Sequence, residues 1–581
     1  MCAHKAQRAD WIALSRCAAR AQVGTDPRLS GPALMDAIVV GLARCGAPRC
    51  IACGQRSPPN LSAGCSPVRL GLATTPACFM SCITPGAPAR ALRRSAAHAR
   101  RAGHEYDAAI MLTASHLPWN RNGMKFFTRA GGLGKKDIAA LVEGAAAAHD
   151  AAQGAALQMP AGAAPPASAD FLPVYAAQLV QLIRAGVAHP THFDTPLAGF
   201  KIVVDAGNGS GGFFASQVLQ PLGADTRGSQ FLDPDGNFPN HVPNPEEAEA
   251  VVSAAAAVRA AGADLGVIFD TDVDRSAIID RTGAAINRNR LIALLAAVVL
   301  RERPGATIVT DSVTSDGLTT FIAAAGGKHY RYRRGYKNVI DKGVELAAAG
   351  VDVPLMIETS GHGAMAENHY LDDGAYLAVK VLIEAGRRRL AGQGDVEQLL
   401  VRSIDSAGPY AARLSAPCRA QSTLREPLEE AEFRLPLLGA DFKAEGAEVV
   451  DALAAEVRAG GFPRWTGVAE NHEGFRASVD EGSGRAGWAL LRQSLHDPLL
   501  VLNLESEAPG GGAVIGHTML CWLQVRAGAG VDISALEKAF APGGMWADYQ
   551  TRDCTLHPSR GGPRLGGGTC GEVGGECEVS W

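Results

Sequence analysis

At 581 residues the chain exceeds what one hydrophobic core can hold, and its length alone suggests about four domains. Apolar residues make up 47% and charged residues 20%, and a net charge of −4 offers no bulk positive field to a nucleic acid or an acidic membrane. The longest apolar run, LIALLAAVVL (291–300), is half of the roughly 20 residues a bilayer requires, so no membrane span is expected and small molecules are the default partners.

Residues 1–22 read as an atypical N-terminal segment. Eight of the 13 cysteines fall in residues 1–82 and three in the last 28. An odd count and the lack of an apolar leader argue against secretion, and Cys50-Ile-Ala-Cys53 has zinc-like spacing without a second pair. A first domain is expected over 23–195, with insertions near 45–67, 82–103 and 148–170; its strand YDAAIMLTASH (106–116) ends abruptly in a polar loop. The second, 196–300, opens with GFKIVVDAGNGSGG (199–212) and continues to ADLGVIFDTDVDR (263–275). The third, 301–405, contains GATIVTDSVTSDG (305–317), RYRRGYKN (331–338) and VDVPLMIETSGHG (351–363). Buried-type strands alternate with Ala-rich helical stretches and Gly stops throughout, the signature of α/β domains, and the recurrence suggests three related ones. Residues 405–440 lack clear periodicity. Residues 440–545 read as a smaller α+β domain, with a helix at 445–461 and strands near 475–479, 487–494 and 499–506. The Gly- and Cys-rich stretch 546–581 reads as a disordered tail.

The chemistry lies at the strand ends. Asp270, Asp272 and Asp274 alternate along one loop, where three crowded carboxylates repel each other unless a cation neutralises them. Oxygen-only ligands suit a hard ion, Mg²⁺ before Ca²⁺. Gly207, Gly209 and Gly212 satisfy GxGxxG, but Asp205 at the strand end would repel a pyrophosphate, so they read as a tight strand-to-helix turn. Glu358, Ser360 and His362 offer a carboxylate, a hydroxyl and an imidazole suited to gripping sugar hydroxyls. Arg333, Arg334, Tyr336 and Lys337 form a cationic stretch, either a solvated face or part of an anion site. Arg492, Ser494 and His496 lie on a loop between two strands, where an arginine fork and a hydroxyl can hold phosphate oxygens.

In this order, the loops resemble the α-D-phosphohexomutase superfamily, which includes phosphoglucomutase and phosphomannomutase. TASHLPWNRNGMK (113–125) resembles the family's TASHNPxxxNGxK, DTDVDR its DGDGDR, ETSGHG its GExSG, RQSLHDP its RxSGTEP, and VGTDPRLSG (23–31) its VGxDxRxSG. The resemblance implies three related α/β domains with mixed, largely parallel sheets and a smaller C-terminal α+β domain around a central cleft. It also implies that Ser115 carries a phosphate and that Asp270, Asp272 and Asp274 hold Mg²⁺ together with a phosphate oxygen on Ser115. Lys125 would aid proton transfer and charge stabilisation, with His116 beside Ser115 and Arg275 facing it. Glu358 and Ser360 would hold sugar hydroxyls, His362 would lie near the reacting oxygen, Arg334 and Tyr336 would add substrate contacts, and Arg492, Ser494 and His496 would clamp the non-reacting phosphate. The implied activity is interconversion of hexose 1-phosphate and hexose 6-phosphate (glucose, mannose or both) through a hexose 1,6-bisphosphate. Alternatives are phosphoglucosamine mutase or a catalytically impaired sugar-phosphate-binding homologue. A sugar phosphate is the expected partner, with no nucleic acid or membrane, in a monomer or homodimer of the cytoplasm or plastid stroma. Departures from the pattern include the lack of a GTSGxRG-like loop before residue 23, the insertions near 45–67 and 82–103, Leu117 in place of Asn, and Leu495-His496-Asp497 in place of Gly-Thr-Glu. These variants resemble a divergent, plant- or alga-like branch.

Overall fold

Three strands of one kind organise the larger part of the molecule: Ala108–Leu112, Leu265–Phe269 and Leu355–Ile357, each wholly buried. Each pairs in parallel with a neighbour on one side and in antiparallel fashion with the strand that returns from its own loop on the other. A strand covered on both sheet faces needs apolar residues at every position, which is why all three read as continuous hydrophobic runs. The computed structural model describes residues 20–44, 65–84, 106–153, 155, 157–161, 163, 165–402, 422–494, 497–526 and 530–548. The Cys50–Cys53 pair and His496 lie outside them.

The chain forms two compact units, Met1–Glu426 and Pro427–Trp581. The first contains three mixed sheets. In one, Arg20–Thr25 lies between Ser66–Leu72 and Ala108–Leu112, parallel to both, and Met124–Thr128 and Gly131–Gly132 extend the edge antiparallel. The second orders Ile202–Asp205, Leu265–Phe269, Ser276–Asp280 and Ala285–Ile286. The third orders Lys328–Arg331, Thr307–Thr310, Leu355–Ile357, Gly363–Met365 and Leu371–Asp372. Parallel pairing holds the centre, and an antiparallel hairpin presents the polar loop of each domain.

One apolar cluster runs through all three domains. Its middle is the helix Arg288–Glu302, in which Leu291 through Leu300 are all buried, so the longest apolar run of the sequence is a core helix. Helices Leu172–Val187 and Gly374–Leu390 approach closely where each has a glycine. A Cβ at Gly186 would come within 2.5 Å of Ile383, and one at Gly386 within 2.7 Å of Val187. No helix among the described residues is long and apolar enough to cross a membrane.

The second unit is an antiparallel sheet in the order Glu429–Pro436, Leu499–Ser506, Arg485–Gln493, Phe475–Gly482, Trp465–Gly467, covered by the helix Phe442–Arg458 and with its own core. Its first strand falls in the stretch 405–440 that showed no periodicity. Trp546, where the tail was expected to begin, packs against Phe433 and Phe540 with ring centroids 5.6 and 5.1 Å apart. The first residues of that segment therefore belong to the fold, because an indole finds apolar partners there.

Candidate active site

Ser115 lies on the loop that joins Ala108–Leu112 to Met124–Thr128. The loop is closed by Thr113 N–H donating to the Gly123 carbonyl at 3.1 Å. The Ser115 backbone has φ of +50°, the left-handed region that L-residues disfavour. Its Oγ donates to Asp270 Oδ2 at 3.1 Å and accepts from Arg275 Nη2 at 2.9 Å. The same Arg275 nitrogen donates to His116 Nδ1 at 2.8 Å. That bond requires an unprotonated Nδ1, which agrees with a His116 pKa lowered to about 4 by burial and by the Arg275 charge.

The acidic loop follows Leu265–Phe269. Asp270, Asp272 and Asp274 are all buried, and each offers an oxygen within 4.8 Å of the others. Lys125 Nζ donates to Asp272 Oδ2 at 2.8 Å and to Asp274 Oδ2. Asp272 Oδ2 also accepts from Thr75 Oγ1 at 2.5 Å. The opposite oxygens, Asp272 Oδ1 and Asp274 Oδ1, are buried without a hydrogen-bond partner. Two orphaned anionic oxygens beside a third carboxylate are costly unless a cation meets them, so the donor set fits a hard divalent ion such as Mg²⁺. The electrostatics agree. Burial and the Asp274 charge push Asp270 well above the ordinary carboxylate range. Burial opposes the Asp274 charge, yet the Lys125, His362 and Arg275 charges together outweigh it and hold that carboxyl low. Burial likewise works against the Lys125 ammonium, but Asp272 and Asp274 keep its pKa well above the usual value.

Arg275, 1% exposed, spans the two loops: its Nε donates to Asp270 Oδ2 at 3.1 Å and its Nη1 to Asn244 Oδ1 at 3.0 Å. Its backbone forms an isolated antiparallel bridge with His362, which brings the third loop alongside. His362 Nδ1 lies 2.7 Å from Asp372 Oδ2 and 3.7 Å from Asp274 Oδ1. Burial disfavours the imidazolium, but these two carboxylates raise its pKa to about 9. The Tyr336 ring stacks on His362 with centroids 4.9 Å apart and planes 23° from parallel. Glu358 accepts from Gly335 N–H at 2.5 Å and from Ser360 Oγ at 3.3 Å, and burial raises its pKa to about 7 against the opposing Arg334 charge. Ser115, His116, Lys125, the three aspartates, Arg275, Arg334, Tyr336, Glu358, Ser360 and His362 thus belong to one unit. Arg492, buried, and Ser494 lie in the other, on the end of the strand Arg485–Gln493 and just beyond it.

Sequence reasoning gave no role to Thr75, Asp311, Asp372 or Arg28. Thr75 N–H also donates to the Asp272 carbonyl at 2.9 Å, and Asp311 Oδ2 fixes the Glu358 loop by accepting from Thr359 N at 3.1 Å and Thr359 Oγ1 at 2.7 Å. Arg28 lay within a quoted motif, and Thr75 opens a helix behind the Thr74 cap in an unremarked TTP stretch. The GxGxxG turn braces the acidic loop. Ser210 N–H donates to the Thr271 carbonyl at 2.8 Å, and a Cβ at Gly209 would meet that same carbonyl oxygen at 2.8 Å.

Three α/β domains with an acidic metal-competent loop, a half-buried Ser-Arg-Asp contact and a third polar hairpin give the molecule an enzyme-like site. Comparison with known proteins makes it specific. Residues 60–153, 183–283 and 287–398 match the phosphoglucomutase/phosphomannomutase α/β/α domains I, II and III. The chain is 28% identical over 515 residues to a phosphomannomutase/phosphoglucomutase of Pseudomonas putida, covering 87% of this chain and 88% of that one. It is 30% identical over 418 residues to a phosphomannomutase of Salmonella montevideo, covering 69% and 76%. Among solved structures, a phosphoglucomutase/phosphomannomutase family protein of Burkholderia thailandensis shares the fold, with a TM-score of 0.63 at 24% identity over 88% of this chain and 90% of that one. The chain belongs to the phosphoglucomutase/phosphomannomutase family, and it is a mutase of the isomerase class, a phosphohexomutase.

Proposed function

We propose that this mutase interconverts hexose 1-phosphate and hexose 6-phosphate, of glucose, mannose or both, with Ser115 as the phosphate carrier and a hexose 1,6-bisphosphate as the intermediate. The observation that carries the reading is the position of Ser115 Oγ, 3.1 Å from Asp270 Oδ2 and 2.9 Å from Arg275 Nη2. A phosphate on that oxygen would lie between a guanidinium and the carboxylates Asp270, Asp272 and Asp274, which would hold Mg²⁺ and let it neutralise charge on the transferring group.

Phosphoryl transfer asks the protein mainly for position and charge. A free hydroxyl of the bound sugar phosphate attacks the phosphorus on Ser115, the Oγ–P bond breaks, and Arg275 offsets charge left on Oγ. Glu358 and Ser360 hold sugar hydroxyls, with Arg334, Tyr336 and His362 beside them. Lys125, held charged by Asp272 and Asp274, stabilises the transferring group and aids proton transfer, the proton lost by the attacking hydroxyl ending on Ser115 Oγ as the phosphoryl group leaves it. The bisphosphate then turns so that its other phosphate returns to Ser115, while Arg492, Ser494 and His496 accept whichever phosphate is not reacting.

Incubation of the full chain with Mg²⁺ and glucose 1,6-bisphosphate, followed by phosphopeptide mapping, is expected to find phosphate on Ser115; its absence there sinks the reading. Rates on glucose, mannose and glucosamine 1-phosphates decide the sugar, and a preference for the amino sugar would make the enzyme a phosphoglucosamine mutase.

A further inference from the structure

Four carbonyls of the Ser115 loop point at one place. The guanidinium of Arg28 fills it: Nη1 donates to Pro118 O at 2.6 Å and Arg121 O at 3.1 Å, and Nη2 to Leu117 O at 2.7 Å and to Ser115 O itself. The remaining N–H, on Nε, donates to Asp26 Oδ2 at 3.1 Å, and Asp26 Oδ1 accepts from the Arg28 backbone N–H at 3.1 Å. All five donors of the guanidinium are therefore used within the protein.

The side chain is fully buried. The Phe238 ring, 5.2 Å from its central carbon, covers it, and the loop bearing Phe238 packs so tightly that a Cβ at Gly236 would meet Pro27 O at 2.3 Å. Converging carbonyl dipoles repel one another, and an isolated loop would splay them toward water. A planar cation with a fixed fork of donors gathers four at once; an ammonium, with three donors on a single nitrogen, cannot span them.

We infer that Arg28 is a positioning residue that holds the Ser115 loop in its left-handed geometry and so sets the rate of phosphoryl transfer without contacting substrate. The inference rests on Ser115 being the phosphate carrier. With no donor left over, Arg28 has nothing to offer a sugar phosphate, and its loss acts on kcat rather than on KM. Asp26 is its anchor, orienting the fork through Nε.

The test compares wild type, Arg28→Lys and Arg28→Ala in the full chain with Mg²⁺. It measures Ser115 phosphorylation by glucose 1,6-bisphosphate, kcat and KM on glucose 1-phosphate, and the thermal midpoint. Both variants are expected to lose kcat by about 100-fold, the scale of a misplaced reacting group, with KM within about threefold of wild type. Free guanidinium, well below its denaturing range, should restore part of the Arg28→Ala rate and none of the Arg28→Lys rate. Wild-type kcat in Arg28→Lys overturns the inference, as does a KM that rises while kcat holds. Should Arg28→Ala fail to fold, Arg28→Lys alone decides through its kcat and KM. Wild type without phosphate on Ser115 defeats the reading of the function instead, so the two failures are distinct.

Discussion

The hairpin that carries Ser115 and the hairpin that carries Asp270, Asp272 and Asp274 meet through the side chains of Ser115, Lys125 and Arg275 but are braced by different means. Carbonyls of the serine loop are gathered by a single side chain, Arg28. Carbonyls of the acidic loop are taken by backbone N–H groups from three parts of the chain: Thr75 to Asp272 at 2.9 Å, Ser210 to Thr271 at 2.8 Å, and Gly374 to Val273 at 3.1 Å. Backbone bracing fixes a loop wherever the surrounding folds pack and fails only with the packing. A side-chain clamp can be removed alone. The acidic loop is thus tied to global stability, and the serine loop to one replaceable residue.

The largest effect is expected where the comparison is cut at its meeting point. Ser115→Ala should lower turnover by more than about 10⁴-fold, as removal of a covalent carrier does, while the thermal midpoint stays close to wild type. Retained turnover above about one per cent of wild type would mean that the two hairpins do not share a carrier. Next comes the acidic side. A Cβ at Gly374 would sit 2.4 Å from the Arg275 backbone carbon and 2.6 Å from its oxygen, contacts that backbone cannot relieve cheaply. Gly374→Ala should therefore cost about 3 kcal/mol in denaturant unfolding and lower activity with it. Were Gly374→Ala as stable as wild type, backbone bracing would not be what holds the acidic loop.

Much of this was legible in the sequence because each functional loop follows a doubly covered strand, and such strands cannot hide their apolar runs. Asp270, Asp272 and Asp274 stand out for the same reason: water-seeking groups directly after LGVIF. The bracing was not legible. Arg28 acts on carbonyls 87 to 93 residues away, and carbonyls carry no sequence signature. The strand Glu429–Pro436 escaped notice because its burial alternates and only Phe433 and Leu435 are buried within it. The glycines of residues 207–212 form a tight turn for a reason that the structure supplies, since Gly209 leaves no room for a Cβ beside Thr271.

Val273 sharpens the contrast at smaller cost. It is fully buried yet has φ of +66°, which is severe for a β-branched residue, and the family pattern has glycine there. Burial favours the side chain while the backbone disfavours it. Val273→Ala gives up about 1.6 kcal/mol of burial and keeps the strain, whereas Val273→Gly loses slightly more burial but sheds about 1–2 kcal/mol of strain. Urea midpoints at fixed Mg²⁺ should place Val273→Gly at or above Val273→Ala, the reverse of the usual order. The ordinary order would show that the loop's φ relaxes in solution and that its bracing is looser than the backbone contacts indicate.

The smallest effect lies in the third hairpin, whose loop the Asp311 side chain holds and where the Glu358 carboxylate is buried. Burial, then the Asp311 charge, raises Glu358 from 4.5 to about 7. In the unfolded chain the group gives up its proton near 4.5; in the folded chain it keeps the proton until about 7. Between these values the folded state binds more protons, so rising pH favours unfolding. The contribution is fully present below the unfolded value and is lost as pH climbs through the folded one. Glu358→Gln removes it, so the stability of wild type relative to the variant should decline from about pH 5 to about pH 8 at constant ionic strength. Parallel pH profiles for the two proteins would mean that Glu358 titrates alike folded and unfolded, and that Asp311 and burial do not act on it as the geometry requires.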